Sequence, residues 1–124
     1  MSSDFPTTPS FRLDGRRALV AGAGRGIGAA AALALAEAGA DVVLAARSLA
    51  ELESVAEAVR ARGGRAEVLL LDVTQPVAVA REVKARGPFE VLVNSAGMNR
   101  PALITEGSDS DLEDMLALNV KAAF

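Results

Sequence analysis

The 124-residue sequence contains no cysteine, no histidine, no tryptophan and no tyrosine, and its only aromatics are four phenylalanines. Without cysteine there is no disulfide framework and no thiolate chemistry. Without histidine, imidazole metal sites and histidine general bases are excluded, and no metal is expected. The missing tyrosine removes a common phenolic acid/base. Positive charge is also short: formal net charge is −3, which argues against nucleic-acid or anionic-membrane partners. No run approaches 18 uninterrupted apolar residues, so no membrane span is expected. The first residues, "MSSDFPTTPSF", have neither a basic nor an apolar signal region. A cytoplasmic location is the default expectation.

What remains is rich in small apolar residues, about half the chain being apolar. Residues 1–12 read as a flexible tail and 13–124 as one domain. In that domain, short apolar runs alternate with helical patterns. "RALVA" (Arg17–Ala21), "DVVLAA" (Asp41–Ala46), "AEVLLL" (66–71) and "FEVLVN" (89–94) predict strands. Between them, an Ala-rich helix is expected over 25–38, stopped by Gly39. Ser48 and Glu51 form an S-x-x-E capping box for a helix whose Leu52, Val55, Ala56 and Val59 share one face. Thr74 is the expected cap of a third helix with Pro76 in its first turn. Ser108 and Asp111 cap a fourth, expected to run to the chain end. The order β-α-β-α-β-α-β-α, with near-continuous apolar strands, predicts an α/β doubly wound parallel sheet of the Rossmann-like type, first half only.

The densest signal is "AGAGRGIG" (21–28), between a strand and a helix. There a parallel α/β sheet brings a phosphate to a helix N-terminus. Gly22 would permit the tight turn, Gly26 a close approach of pyrophosphate, and Gly28 close packing of helix on strand. Gly24, Arg25 and Ile27 complete the loop. A glycine-rich turn without a ligand is the plainer alternative, but the βα setting favours a dinucleotide. An NAD site places an acid at the end of the second strand. Asp41 lies at the opposite end of that strand, and Ala46 and Arg47 occupy the expected place. Arg47 and Arg25 can hold a 2′-phosphate, so NADP(H) is favoured over NAD(H). The plainer alternative is that both are solvated surface arginines.

The chain resembles the short-chain dehydrogenase/reductases on four motifs in order. The G-x-x-x-G-x-G of Gly22, Gly26 and Gly28 is similar to the family loop, with Ala21 where a Thr is usual. Asp72-Val73 resembles the adenine-pocket dipeptide. "NSAG" (94–97), with Asn94, Ala96 and Gly97, resembles N-N-A-G, Ser95 replacing the second Asn. "LNVKAAF" (118–124) resembles the segment carrying a helix Asn, here Asn119. Asp72 and Asn94 have local structural alternatives as a turn carboxylate and a strand-end brace. Asn119 falls at i+7 from Leu112, ending a stripe with Met115 and Leu116 that is expected to be buried, and a buried amide needs partners.

The resemblance implies an oxidoreductase that moves a hydride between a nicotinamide dinucleotide and a small alcohol or carbonyl substrate. It implies a strand order of 3-2-1-4, a homo-oligomer, and an Asn119 that holds a water in the proton relay as the one catalytic residue. Met98, Asn99 and Arg100 would follow at the substrate-pocket floor. The family's Tyr-x-x-x-Lys pair has no counterpart. The chain is therefore expected to be the cofactor-binding half of a longer protein, truncated before the catalytic half and inactive alone. A non-catalytic NADP(H)-binding module or redox sensor is the rival reading, and a fold that has lost its ligand is a third.

Overall fold

A computed structural model describes residues 5–6 and 8–124. The chain runs β1 (Arg17–Ala21), α1 (Gly26–Glu37), β2 (Asp41–Ala46), α2 (Leu49–Ala61), β3 (Arg65–Leu70), α3 (Pro76–Arg86), β4 (Val91–Asn94) and α4 (Asp109–Leu116), followed by a π-helical turn (Ala117–Lys121). The four strands form one parallel sheet in the order β3-β2-β1-β4; the alternation of the sequence predicts the parallel sheet and the family resemblance its order. Residues 1–4 and 7 of the expected tail lie outside the described residues. Arg12, at its end, reaches back to the Glu37 carbonyl at 3.0 Å.

Side chains alternate across each strand, and the sheet has two unequal faces. Ala18, Val20, Val42 and Leu44 pack with Ala32 and Ala36 of α1 and Leu52, Val55, Ala56 and Val59 of α2. The alanines of α1 let the helix sit close to the strands. On the other face Leu19, Val43, Ala45, Leu69 and Leu71 pack with Ala78, Val79 and Phe89 around α3. β2 is buried on both faces, as its apolar run predicts. β4 is not. It pairs only with β1, and Leu92 is 68% exposed because no described element covers the edge on the α3 side.

Four boundaries differ from expectation. β3 and β4 are shifted or shorter, Arg65–Leu70 and Val91–Asn94. Gln75, not Thr74, is the N-cap of α3, because the Thr74 hydroxyl is engaged by Asp72. The last helix is not one continuous α-helix: the Ala122 N–H donates to the Ala117 carbonyl at 2.9 Å, a π-type bond that inserts one residue into the turn. The stripe expected to be buried along it is also open. Leu112, Leu116 and Asn119 are exposed and only Leu118 is buried, because that face of α4 stands clear of the sheet.

Candidate nucleotide site at the carboxyl ends of the strands

The turn after β1 is shaped by close approaches. Gly22 has φ +74°, and a Cβ there would lie 2.6 Å from the Ala96 nitrogen. The turn is thus pressed against the backbone leaving β4. Gly28 meets the same turn from the helix side, where a Cβ would stand 1.9 Å from the Gly22 carbonyl oxygen. Only glycine fits either position. Gly26 differs: with φ +60° and nothing within 4 Å of its Cβ position, it faces open space.

That space is a cleft of about 320 Å³. Gly22, Gly24, Arg25, Gly26 and Ile27 form one wall, Ala46, Arg47 and Glu51 a second, Leu71, Asp72 and Val73 a third, and Ser95, Ala96, Gly97 and Leu118 the fourth. The structure therefore gathers ten of the sequence-selected residues around one opening at the carboxyl ends of the strands, where α/β sheets bind ligands. Gly28, Asn94 and Asn119 stand behind the lining. Gly28 packs the helix on the turn. The Asn94 Oδ1 accepts from the Ala96 N–H at 3.2 Å, bracing the bend that forms the fourth wall.

The helix N-termini are capped unequally: α1, like α3, lacks a side-chain cap. Ser48 caps α2 and Ser108 caps α4, each accepting the N–H of the residue three positions on. Arg25 at the N-cap of α1 makes no side-chain cap bond, and no acid lies in the first turn. The first N–H groups of an α-helix have no intrahelical acceptor, and here they open on the cleft. The two cleft arginines, Arg25 and Arg47, form no salt bridge among the described residues.

Asp72 combines both of its sequence readings. Its Oδ1 accepts from the Thr74 hydroxyl at 2.7 Å and the Thr74 N–H at 2.9 Å, a local Asx turn. It also lines the cleft. The bond from the Thr74 hydroxyl, then that from its backbone, holds the carboxyl below its ordinary pKa, with Arg47 adding a smaller charge effect.

The chain beyond Gly97 is tied to the last helix. Asn119 bonds Met98 through both amide atoms, so its side chain is occupied in bracing this segment. Arg100 does not face the cleft; it donates to Asp111 at 3.2 Å and Asp114 at 2.5 Å on α4. Met98 and Asn99 are also outside the cleft lining. Glu51, Leu71, Ser95 and Leu118 line the cleft without having been selected as ligand contacts. Leu71 and Leu118 read as ordinary core. Glu51 read as a capping acid, and only its place just after β2 could have marked it.

A family model described as short chain dehydrogenase matches residues 16–124. The chain belongs to the short-chain dehydrogenase family. It is 44% identical over 117 residues to an uncharacterized oxidoreductase of Mycobacterium tuberculosis, covering 91% of this chain and 44% of that protein. It is 42% identical over 118 residues to gluconate 5-dehydrogenase of Gluconobacter oxydans, covering 92% of this chain and 46% of the enzyme. A crystal structure of a putative 2-deoxy-D-gluconate 3-dehydrogenase from Agrobacterium tumefaciens, with bound NADP, superposes with a TM-score of 0.84 at 41% identity, over 92% of this chain and 45% of that one. The short-chain dehydrogenase chain described here thus spans just under half the length of these relatives. Among its described residues no helix is long and apolar enough to cross a membrane.

Proposed function

We propose that this chain is the cofactor-binding half of an NADP(H)-dependent oxidoreductase acting on a small alcohol or carbonyl compound. The observation that carries the reading is the uncapped N-terminus of α1, opening beside Gly26 onto a cleft with two arginines that form no salt bridge among the described residues. Unpaired N–H groups at a helix N-terminus suit a pyrophosphate. Ile27, 82% exposed at the mouth, offers an apolar surface to a ring. Asp72 and Val73 suit the adenine side, and Arg47 with Arg25 suits a 2′-phosphate. The NADP held by the Agrobacterium relative supports this choice.

When bound, the nicotinamide supplies the hydride acceptor or donor. This chain's residues bind and orient it. Asn119 spends one lone pair and one N–H of its amide on Met98, which leaves the second lone pair and the second N–H to hold a water in a proton relay. No tyrosine is present to exchange the substrate proton, so a polypeptide of these 124 residues binds nucleotide without turning over. The homo-oligomer implied by the family resemblance belongs to the same proposal.

Isothermal titration with NADP⁺ and NAD⁺ tests the reading. NADP⁺ should bind more tightly. Arg47→Ala should weaken NADP⁺ by roughly tenfold or more, the loss expected of a charge-assisted hydrogen bond, and leave NAD⁺ nearly unchanged. Tighter NAD⁺ binding by the unsubstituted chain would overturn the preference, and no binding of either would overturn the cofactor reading.

A further inference from the structure

Among the described residues Glu51 is the one carboxylate in the cleft wall besides Asp72, and Asp72 is committed to Thr74. It sits at the third position of α2, where its backbone N–H donates to Ser48 Oγ at 3.4 Å. Its side chain leans across to the glycine loop. A Cβ built on Gly24 would stand 2.8 Å from Glu51 Oε2 and 3.1 Å from its Cβ, with the Ala46 Cβ at 3.7 Å. The carboxylate therefore occupies the corner between the loop and the end of β2. Arg25 and Arg47 line the same cleft, and Glu51 forms no salt bridge with either.

The end of β2 is where dinucleotide sites read the 2′ position of the adenosine ribose, an acid accepting from a free hydroxyl and an arginine holding a phosphate. Here the strand end itself supplies Ala46 and Arg47, and the acid arrives from the first turn of the next helix. We infer that Glu51 is the residue that limits the preference for a 2′-phosphate over a 2′-hydroxyl, opposing the phosphate by charge and accepting from the hydroxyl. This rests on the cofactor reading above and adds to it a site that takes both nucleotides, with the ratio set by one carboxylate against two guanidiniums.

The test is calorimetric and needs no turnover. Glu51→Gln keeps the size of the side chain and suits the same helix position. Its NADP⁺-to-NAD⁺ affinity ratio should rise roughly fivefold, the order expected for removing one like charge near a surface phosphate. The same rise should appear between adenosine 2′,5′-bisphosphate and AMP, which places the effect at the 2′ group. Glu51→Asp keeps the charge and should leave the ratio within about twofold. A ratio that stays fixed or falls in Glu51→Gln, or an equal loss for both nucleotides, overturns the inference while leaving the cofactor reading intact. Absence of any nucleotide binding to the unsubstituted chain overturns both.

Discussion

Asn119 holds the backbone of Met98 from both sides: Oδ1 accepts the Met98 N–H at 2.9 Å and Nδ2 donates to the Met98 carbonyl at 2.8 Å. This pair fixes the segment after β4 to the π-helical turn. Asn119→Ala should remove both bonds and cost about 1–2 kcal/mol, since a typical hydrogen bond contributes about 1 kcal/mol net. Amide exchange at Met98 should quicken more than exchange in β1 or β2. Unchanged Met98 exchange would show that the segment is held by something else.

Gly26 and Gly28 should separate binding from folding. Gly28→Ala drives a Cβ to 1.9 Å from the Gly22 carbonyl oxygen, so the turn must shift, at a cost of about 3 kcal/mol or more in urea unfolding. Gly26→Ala meets no atom but strains a left-handed backbone, at about 1–2 kcal/mol. The second variant should stay folded and still lose at least tenfold in nucleotide affinity, because the methyl projects into the cleft. A Gly26→Ala chain that binds normally would place the phosphates elsewhere.

Asp72 makes a prediction about acid. Its folded pKa is depressed, first by the Thr74 hydroxyl. A depressed carboxyl stabilises the fold above its unfolded pKa, about 3.9, and this contribution is lost as pH falls through the lower folded value. Thr74→Val removes the hydroxyl donor. The Asp72 carboxyl resonance should then titrate at higher pH, and the acid-unfolding midpoint should move up with it. A titration unaltered by the substitution would assign the depression to the backbone N–H of residue 74, which the substitution keeps, and not to the hydroxyl.

Arg17 is the hub of the opposite end of the sheet. It donates to Asp41 at 2.8 Å, Glu67 at 2.9 Å and the Arg86 carbonyl at 2.7 Å, and lies 5.5 Å from the Phe89 ring centre. Arg17→Ala leaves two carboxylates on neighbouring strands without their shared cation. A loss of about 1–3 kcal/mol is expected, partly restored by salt. Arg17→Lys keeps the charge without the fork and should fall between the two. A change below about 0.5 kcal/mol would reduce the cluster to ordinary surface pairs.

Where a residue's fate is set by its own segment, the sequence was readable. The β2 run Asp41–Ala46, the Ser48 and Ser108 caps, and the parallel sheet follow from local pattern and short connections. The glycine loop was legible because glycines at that spacing have few other uses. Contacts between distant segments were not. Thr74 was claimed by Asp72 rather than by its helix, the π-type bond has no periodic signature, and the lean of Glu51 toward Gly24 depends on how α2 docks. Leu112 and Leu116 read as buried from pattern alone, yet burial needs a covering neighbour, which pattern does not provide.

The contact of Gly22 with the backbone at Ser95 and Ala96 also sets a timetable for the growing chain. β1, α1, β2, α2 and β3 can dock on one another as they emerge, through contacts of short sequence separation. The turn after β1 packs early on Gly28 and bonds the Ala45 carbonyl, but its contact with Ser95 and Ala96 forms only when β4 arrives, about seventy residues later. Long-range closure of this kind is the slow part of folding. The cleft is therefore the last region to take shape, although its most recognisable motif is among the first to be synthesised.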